Sequence, residues 1–532
     1  MDQYVRYSEF GAVGDGVNND FFAMQAAHEY ANKMNLPVKA DPAAIYRISN
    51  TEADDVASSI IVKTDTDFCG ATVIFDDTDI AWCEGCGKSH DTYIFKLESR
   101  YAPCKLDESC IEKINVDGGV HRDITKKIDT GLGFPAMLVL KNDDKKVYIR
   151  YGGNQNAGVA ESELILVDSH GNVDESAPLL FDYDKVTEIT AYRIDEPPMR
   201  FENAHFITKA SRVNLVDKFQ MLFRGILITR PNVIVKNIKH SVENEIFKGQ
   251  MLDGVPFIGH SYWGFIIAEF THNLLIEDCV FQARAYYIQG TYDLIATMTS
   301  ALTVRRCIQS NFFPNHGYPL WGVAGTNYCK NMVYEDCRIN RYDAHQGVVN
   351  GRISNCEISS IRLIGGGDML IENTKIYNNS KASSIQLRED FGCTFRGTIT
   401  LKNCELADRK GKGENPEAIL VAQMSNWDFG YTTYFPNIVI DNLKIPDGRD
   451  EIDLLYDIEM KTDQYGFFYR TVRDGALAIS GAISADGKPN VNPYVPPRFI
   501  KVINNEQNGY KIKLPDVPFF KDCELSGITL SK

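Results

Sequence analysis

The chain has 532 residues, 44% of them hydrophobic, and a formal net charge of −15. Such a length can bury a large core, and the negative balance argues against a general binder of nucleic acid or of anionic membranes, while leaving room for a local basic groove. No run of eighteen or more apolar residues is present, so no membrane-spanning helix is expected.

The opening MDQYVRYSEF lacks the basic start and apolar core of an export signal. This points to a cytoplasmic or virion-associated protein, or to a secreted one whose signal has been removed. Thirteen cysteines without a small-domain framework fit a reducing compartment better than a disulfide scaffold.

Residues 1–60 read as an N-terminal cap with the first coils. A glycine-rich turn in FGAVGDG leads into a helix that Asn18, Asn19 or Asp20 can cap. Its expected apolar face is Phe22, Ala23, Ala26, Ala27, Tyr30, Ala31 and Met34. A phosphate-cradling loop is the competing reading of the glycines, but no strand-then-helix unit of the right spacing follows.

Residues 61–200 read as an inserted β module, because from Ala136 to Ile194 the runs VYIRYG, ELILVD and ITAYRI are separated by turn-like GGNQNAG and DSHGNVDES. It is expected to protrude and to be dispensable for folding of the rest. No cofactor is required by the sequence. The CxxC at Cys83 and Cys86, followed by His90, Cys104 and Cys110, is the place where a structural zinc would fit, although the spacing of the second pair departs from a zinc knuckle. Bound calcium stays open.

Residues 201–446 carry a short motif eight times, as VKNIKH, IEDCVF, VRRCIQ, YEDCRI, ISNCEI, IENTKI, LKNCEL and IDNLKI. Aligned, they place Ile238, Cys279, Cys307, Cys337, Cys356, Thr374, Cys404 and Leu443 in one column, at intervals of 41, 28, 30, 19, 18, 30 and 39 residues. A regular strand at irregular spacing means one coil per repeat with loops of varying length, the pattern of a solenoid. Inward apolar and outward polar positions alternate within each copy, so the unit is a strand. The expected fold is all-β, a right-handed parallel β-helix whose coils lie about 4.8 Å apart, with the five column cysteines as interior packing. Residues 447–532 read as a C-terminal cap or edge module.

The segment FGAVGDGVNNDFFAMQAA and the coil pattern resemble the pectate-lyase-like superfamily of single-stranded right-handed parallel β-helices, which includes polysaccharide lyases, glycoside hydrolases and phage tailspike depolymerases. The resemblance covers about residues 1–50 by motif and 200–445 by coil pattern, and it implies fold more than chemistry. The successive-coil aspartate and histidine motifs of polygalacturonase-like enzymes are absent from the coil region, and so is a convincing acidic calcium cluster.

Chemistry is expected on the outer face. Arg341, Asp343 and His345 alternate along one strand and so share a face. Equal offsets from the column place Arg362 beside Asp343, which predicts an ionised aspartate. Flanking loops add Tyr292 and Asp293, then His316, Trp321 and Asn327, then Gln386, Arg388, Glu389 and Asp390. His240, Glu243, Glu245, His260, Tyr262 and Trp263 form a second polar cluster, read as groove wall.

The first expectation is an inverting glycoside hydrolase on an acidic or complex glycan. Asp343 with Asp390 or Asp293 would be two coils apart, near the ~9.5 Å upper end of the inverting range, with His345 exchanging protons. Arg341, Arg362, Arg388, Gln386, Tyr292, Trp321, His316 and Asn327 would hold substrate. A polysaccharide lyase acting by β-elimination on a uronic-acid polymer is the alternative that the arginines favour. A non-catalytic glycan-binding phage tail or adhesin fibre, trimeric if tailspike-like, is the other.

Overall fold

The computed structural model describes residues 4–49, 59–80, 93–148, 158–213, 221–246, 250–252, 254–256, 261–282, 284, 292–312, 325–378, 383–388, 391–407, 418–422, 431–445, 449–455, 461–462, 468–469, 494–516 and 518–531. The chain divides into two compact units, one of residues 1–102, 192–325 and 336–340, the other of 103–191, 326–335 and 341–532.

Both units are built from parallel coils, and the fold is a parallel β-helix, right-handed as parallel crossovers are. In the first unit Ile60, Phe95, Ile226, Ile266 and Leu294 pair one to the next, which stacks five inward side chains at strand spacing. Phenylalanines fill the N-terminal part of this core; Phe68 meets Phe201 edge-on at 5.0 Å between ring centroids. In the second unit Ile353, Ile371, Leu401, Ile440 and Val502 form a ladder on the face of the repeated motif.

The aligned column is interior throughout. Cys279, Cys307 and Cys337 are buried in the first unit and Cys356 and Cys404 in the second, all as free thiols. Their sulfurs stay within reach of coil carbonyls, Cys279 Sγ lying 3.2 Å from Glu277 O. The residue before each column position, Asn237, Asp278, Arg306, Asp336, Asn355, Asn373, Asn403 and Asn442, has φ between 49° and 58° except Asn373 at 48°. A left-handed corner therefore turns every coil. Asn and Asp tolerate that conformation, and Arg306 is the exception, its guanidinium held by Asp278 at 2.6 Å and Glu277 at 2.8 Å.

Three boundaries differ from the sequence reading. The N-terminal helix is Phe21–Met34, but its buried face is Phe21, Met24, Ala27, His28 and Ala31, while Phe22, Tyr30 and Met34 are about half exposed. The buried His28 accounts for the rotation, since its Nε2 sits 2.9 Å from Tyr7 Oη. Burial lowers the His28 pKa to about 3, so it is neutral. Asp20 stands at the cap position, yet its carboxylate accepts from Val13 N–H in the glycine turn.

The insertion is expected from residue 61, but coil strands run on beyond it: Ile60–Val62 pairs with Phe95–Leu97, and Thr72–Asp76 with Ile45–Ile48. The antiparallel module begins at Cys104–Lys105 and is carried by the hairpin of Ala136–Val147 with Val159–Val167. Its own core includes Leu138, Ile165, Tyr183, Val186 and Ile189. At the other end the winding continues past residue 446, because Phe499–Ile503 pairs in parallel with Asn437–Asp441 and then with Glu524–Ser526.

The module is bolted to the coils of its own unit. Lys330, 1% exposed, reaches Glu163 at 2.7 Å and donates to Pro178 O at 2.6 Å. Glu163 also accepts from Leu180 and Phe181 N–H, Asn350 Nδ2 donates to Ser176 O, and Arg396 Nη1 to Leu180 O. At Gly366 a Cβ would lie 2.7 Å from Leu180 Cδ1, so bare backbone admits this approach. The module is thus packed on the coils and does not protrude freely.

Candidate active site

The strand Tyr342–Ser354 carries Asp343 and His345. Its register is the expected one, Asp343 opposite Arg362 and Arg362 opposite Gln386. The charges are arranged differently. Asp343 is fully buried, with one carboxylate oxygen accepting from Arg388 Nη1 at 2.7 Å and the other bonded to Arg341 Nη2. Arg362, the partner expected from register, is half-buried alongside.

Burial by itself would raise the Asp343 pKa, but the positive fields of Arg341 and Arg388, with His345 and the Arg388 hydrogen bond, hold it well below the usual carboxylate range. The aspartate is ionised, as expected. It is then a poor proton acceptor at neutral pH, and it ties two guanidinium groups together.

His345 is half-buried on the same strand, with Nδ1 3.0 Å from Asn327 Oδ1. With the amide oxygen as acceptor, Nδ1 carries a hydrogen, which makes Nε2 the atom where a second proton binds or leaves. Asn327, expected to touch substrate, instead orients this imidazole. Phe391 flanks both groups: its ring meets His345 edge-on at 5.3 Å, and Arg388 lies 5.7 Å from its centroid. Tyr148, from the module, meets Phe391 at 5.6 Å and Tyr431 at 5.1 Å. No periodicity in the sequence marks Phe391, Tyr148 or Tyr431, because their positions depend on loops and on how the module docks.

Gln386 is half-buried, with Nε2 donating to Ser383 O at 3.3 Å. Asp293 belongs to the first unit, buried, with Gln309 Nε2 donating to Oδ2. Burial pushes its pKa up to about 7 against the Gln309 bond and the Arg284 charge, and Glu245 adds to the rise. Tyr292, its neighbour, is half-buried and pairs with Gly264 in the ladder. In the second polar cluster His240 is buried, stacked on Phe265 at 3.7 Å, and burial keeps it neutral by lowering its pKa well below the ordinary value.

Asp390, Glu389, His316 and Trp321 lie outside the described residues, as do Cys83, Cys86 and His90. Among the described residues, no group of three or more His, Cys, Asp or Glu gathers to hold a metal ion.

A parallel β-helix with a buried arginine–aspartate cluster beside a tautomer-fixed histidine is the class of site this geometry defines. No family model matches the chain. An uncharacterized 65.4 kDa protein in the cps region of Klebsiella pneumoniae is 37% identical over 65 residues, 12% of this chain and 11% of that protein. The chain therefore matches about a tenth of that relative's length. Among solved structures, the tailspike of Pseudomonas phage LKA1 is similar at 12% identity, with 85% of this chain and 81% of that one covered and a TM-score of 0.47. A tailspike of Acinetobacter baumannii bacteriophage AP22, solved with A. baumannii capsular saccharide, is similar at 9% identity, 98% and 79% coverage and a TM-score of 0.48. A Streptococcus pneumoniae surface adhesin is similar at 10% identity, 85% and 94% coverage and a TM-score of 0.42.

Proposed function

We propose that the second unit binds an anionic glycan along the strand of His345 and cleaves it by β-elimination. The observation that carries this reading is the clamped carboxylate: Asp343 sits between Arg341 and Arg388, which removes it as a base, and these two guanidinium groups are the cations we assign to a uronate carboxylate. His345, with Asn327 setting the tautomer, is the proton acceptor. Nε2 takes the proton from the carbon next to the uronate carboxylate, and the arginines stabilise the charge that develops there. A carbon–carbon double bond forms as the glycosidic carbon–oxygen bond breaks, and the departing oxygen takes a proton from water.

An inverting hydrolase is the second reading, favoured by Asp293, whose pKa of about 7 makes it a protonated carboxyl in mildly acidic solution. Asp343 is poorly suited to be its basic partner. A glycan-binding fibre that does not cleave, with capsular saccharide as the type of ligand, is consistent with the same surface. Incubation with polygalacturonate and other uronic-acid polymers separates the three. Growth of ultraviolet absorbance from an unsaturated uronate supports elimination, new reducing ends without it support hydrolysis, and binding without either supports the fibre.

A further inference from the structure

Next to the His345 strand the second unit contains an open cleft of about 240 Å³ between the docked module and the coils. Lys145, Tyr148, Asp182 and Asp184 line it from the module, and Arg396, Tyr431 and Tyr434 from the coil side, so Lys145 and the two aspartates offset one another in part and Arg396 is the cation of the coil wall. That volume suits a single sugar residue.

The polar groups in the cleft are held in place before any ligand arrives. The Arg396 guanidinium lies 4.4 Å from the centre of the Tyr434 ring, and its Nη1 donates to Leu180 O at 3.3 Å. Tyr431 Oη donates to Phe391 O, and Asp182 is oriented by Arg122 N–H at 2.9 Å. Phe391 is the ring between the two places, touching His345 on one side and Tyr148 on the other. Gly365 forms part of the cleft lining, and a Cβ there would strike Val348 O at 2.1 Å.

We propose that this cleft is a second saccharide subsite, in which Arg396 takes the carboxylate of an acidic sugar residue and Tyr434 offers the edge or face of its ring to the sugar. The proposal rests on the anionic-glycan reading above and gives the inserted module a function: it supplies one wall of the subsite. Arg396 is too well fixed to swing away, so the subsite adds affinity for a neighbouring residue of the polymer without entering the chemistry at His345. A fixed guanidinium discriminates by charge. Acidic oligosaccharides should be held and neutral ones of equal length should not.

The test is calorimetric titration of the full chain with hexagalacturonate, and with maltohexaose as the neutral control, in the parent, Arg396→Gln, Tyr434→Leu and His345→Ala forms. Arg396→Gln should weaken hexagalacturonate binding by about tenfold or more, with kcat for elimination within about twofold of the parent and KM raised. Tyr434→Leu, which keeps apolar volume under Arg396, should weaken binding by a smaller factor and guards against undocking of the module in the arginine variant. His345→Ala should keep the affinity and lose turnover. Equal affinity in the parent and both cleft variants would overturn the subsite while leaving the His345 reading intact. A parent that neither binds nor cleaves any acidic glycan would overturn both.

Discussion

Arg388 Nη1 donates to Asp343 Oδ1 at 2.7 Å across 45 residues of sequence, between side chains 6% and 0% exposed. A buried carboxylate is costly unless it is paired, and removing one partner of a buried pair typically costs about 3–5 kcal/mol. Arg388→Met should therefore destabilise the second unit by roughly that amount, and Asp343→Asn should do likewise by leaving two guanidinium groups without their counter-charge. Urea unfolding at neutral pH checks this. The pH dependence has a definite sign. The folded pKa of Asp343 is depressed, so its contribution is present above the unfolded value near 3.9 and is lost as pH falls through the folded value. The stability gap between parent and Asp343→Asn should shrink only below about pH 4. A gap that closed between pH 8 and 5 would contradict the clamp.

Asp293 titrates in the opposite sense. Its folded pKa is raised to about 7 by burial, against an unfolded value near 3.9, so the native state holds a proton that the unfolded chain has lost. Stability from this group falls as pH rises from about 4 to about 7, and the penalty is complete above that. Asp293→Asn keeps an acceptor for Gln309 Nε2 and cannot ionise. It should be more stable than the parent at pH 8 and close to it at pH 4. Denaturation midpoints at those two pH values provide the measurement, and an equal difference at both would show that Asp293 is not buried as a neutral acid.

The His345–Asn327 pair predicts a particular kinetic signature. His345→Ala should lower turnover by about 10² or more with the coil fold intact. Asn327→Asp places a carboxylate on Nδ1, stabilises the imidazolium and should move the acidic limb of the kcat/KM profile to higher pH. A structural histidine would not produce that movement. A profile in Asn327→Asp that overlays the parent would remove His345 from the role of base.

The coils were legible because two local rules coincide at each repeat: strand alternation, and a small interior residue behind an Asn or Asp that turns the corner in the left-handed region. The Asn before Cys356 or Thr374 was visible as a repeated letter, and the corner geometry explains it. The register of Asp343 with Arg362 followed from the same counting. Counting could not find Arg388 as the true partner, since that side chain arrives from a strand two coils on and at the start of an irregular loop. Alternation also placed Asp343 on the outward face without revealing that arginines bury it there. The helix face failed for a related reason: both stripes of Phe21–Met34 are apolar enough, and a tertiary contact from Tyr7 to His28 decides which one turns inward.

The junction between module and coils gives the last prediction. Lys330 is almost fully buried, and burial lowers its pKa while Glu163 opposes that shift. The pair persists because its remaining hydrogen-bonding positions are filled: Lys330 by Pro178 O, and Glu163 by Leu180 and Phe181 N–H. Lys330→Met removes the cation and leaves the Glu163 carboxylate buried among main-chain donors, at a cost of roughly 3–5 kcal/mol. Adding Glu163→Gln should recover part of this loss, because the amide oxygen still accepts from those N–H groups and carries no charge. The destabilised region is then local. Proteolysis of Lys330→Met should release the 103–191 module earlier than in the parent while the first unit resists, and the double variant should fall between them. Because the module carries Tyr148 against Phe391, Lys330→Met should also raise KM for an acidic glycan. If Lys330→Met left both the proteolytic pattern and KM unchanged, the module would be held by something other than this ion pair.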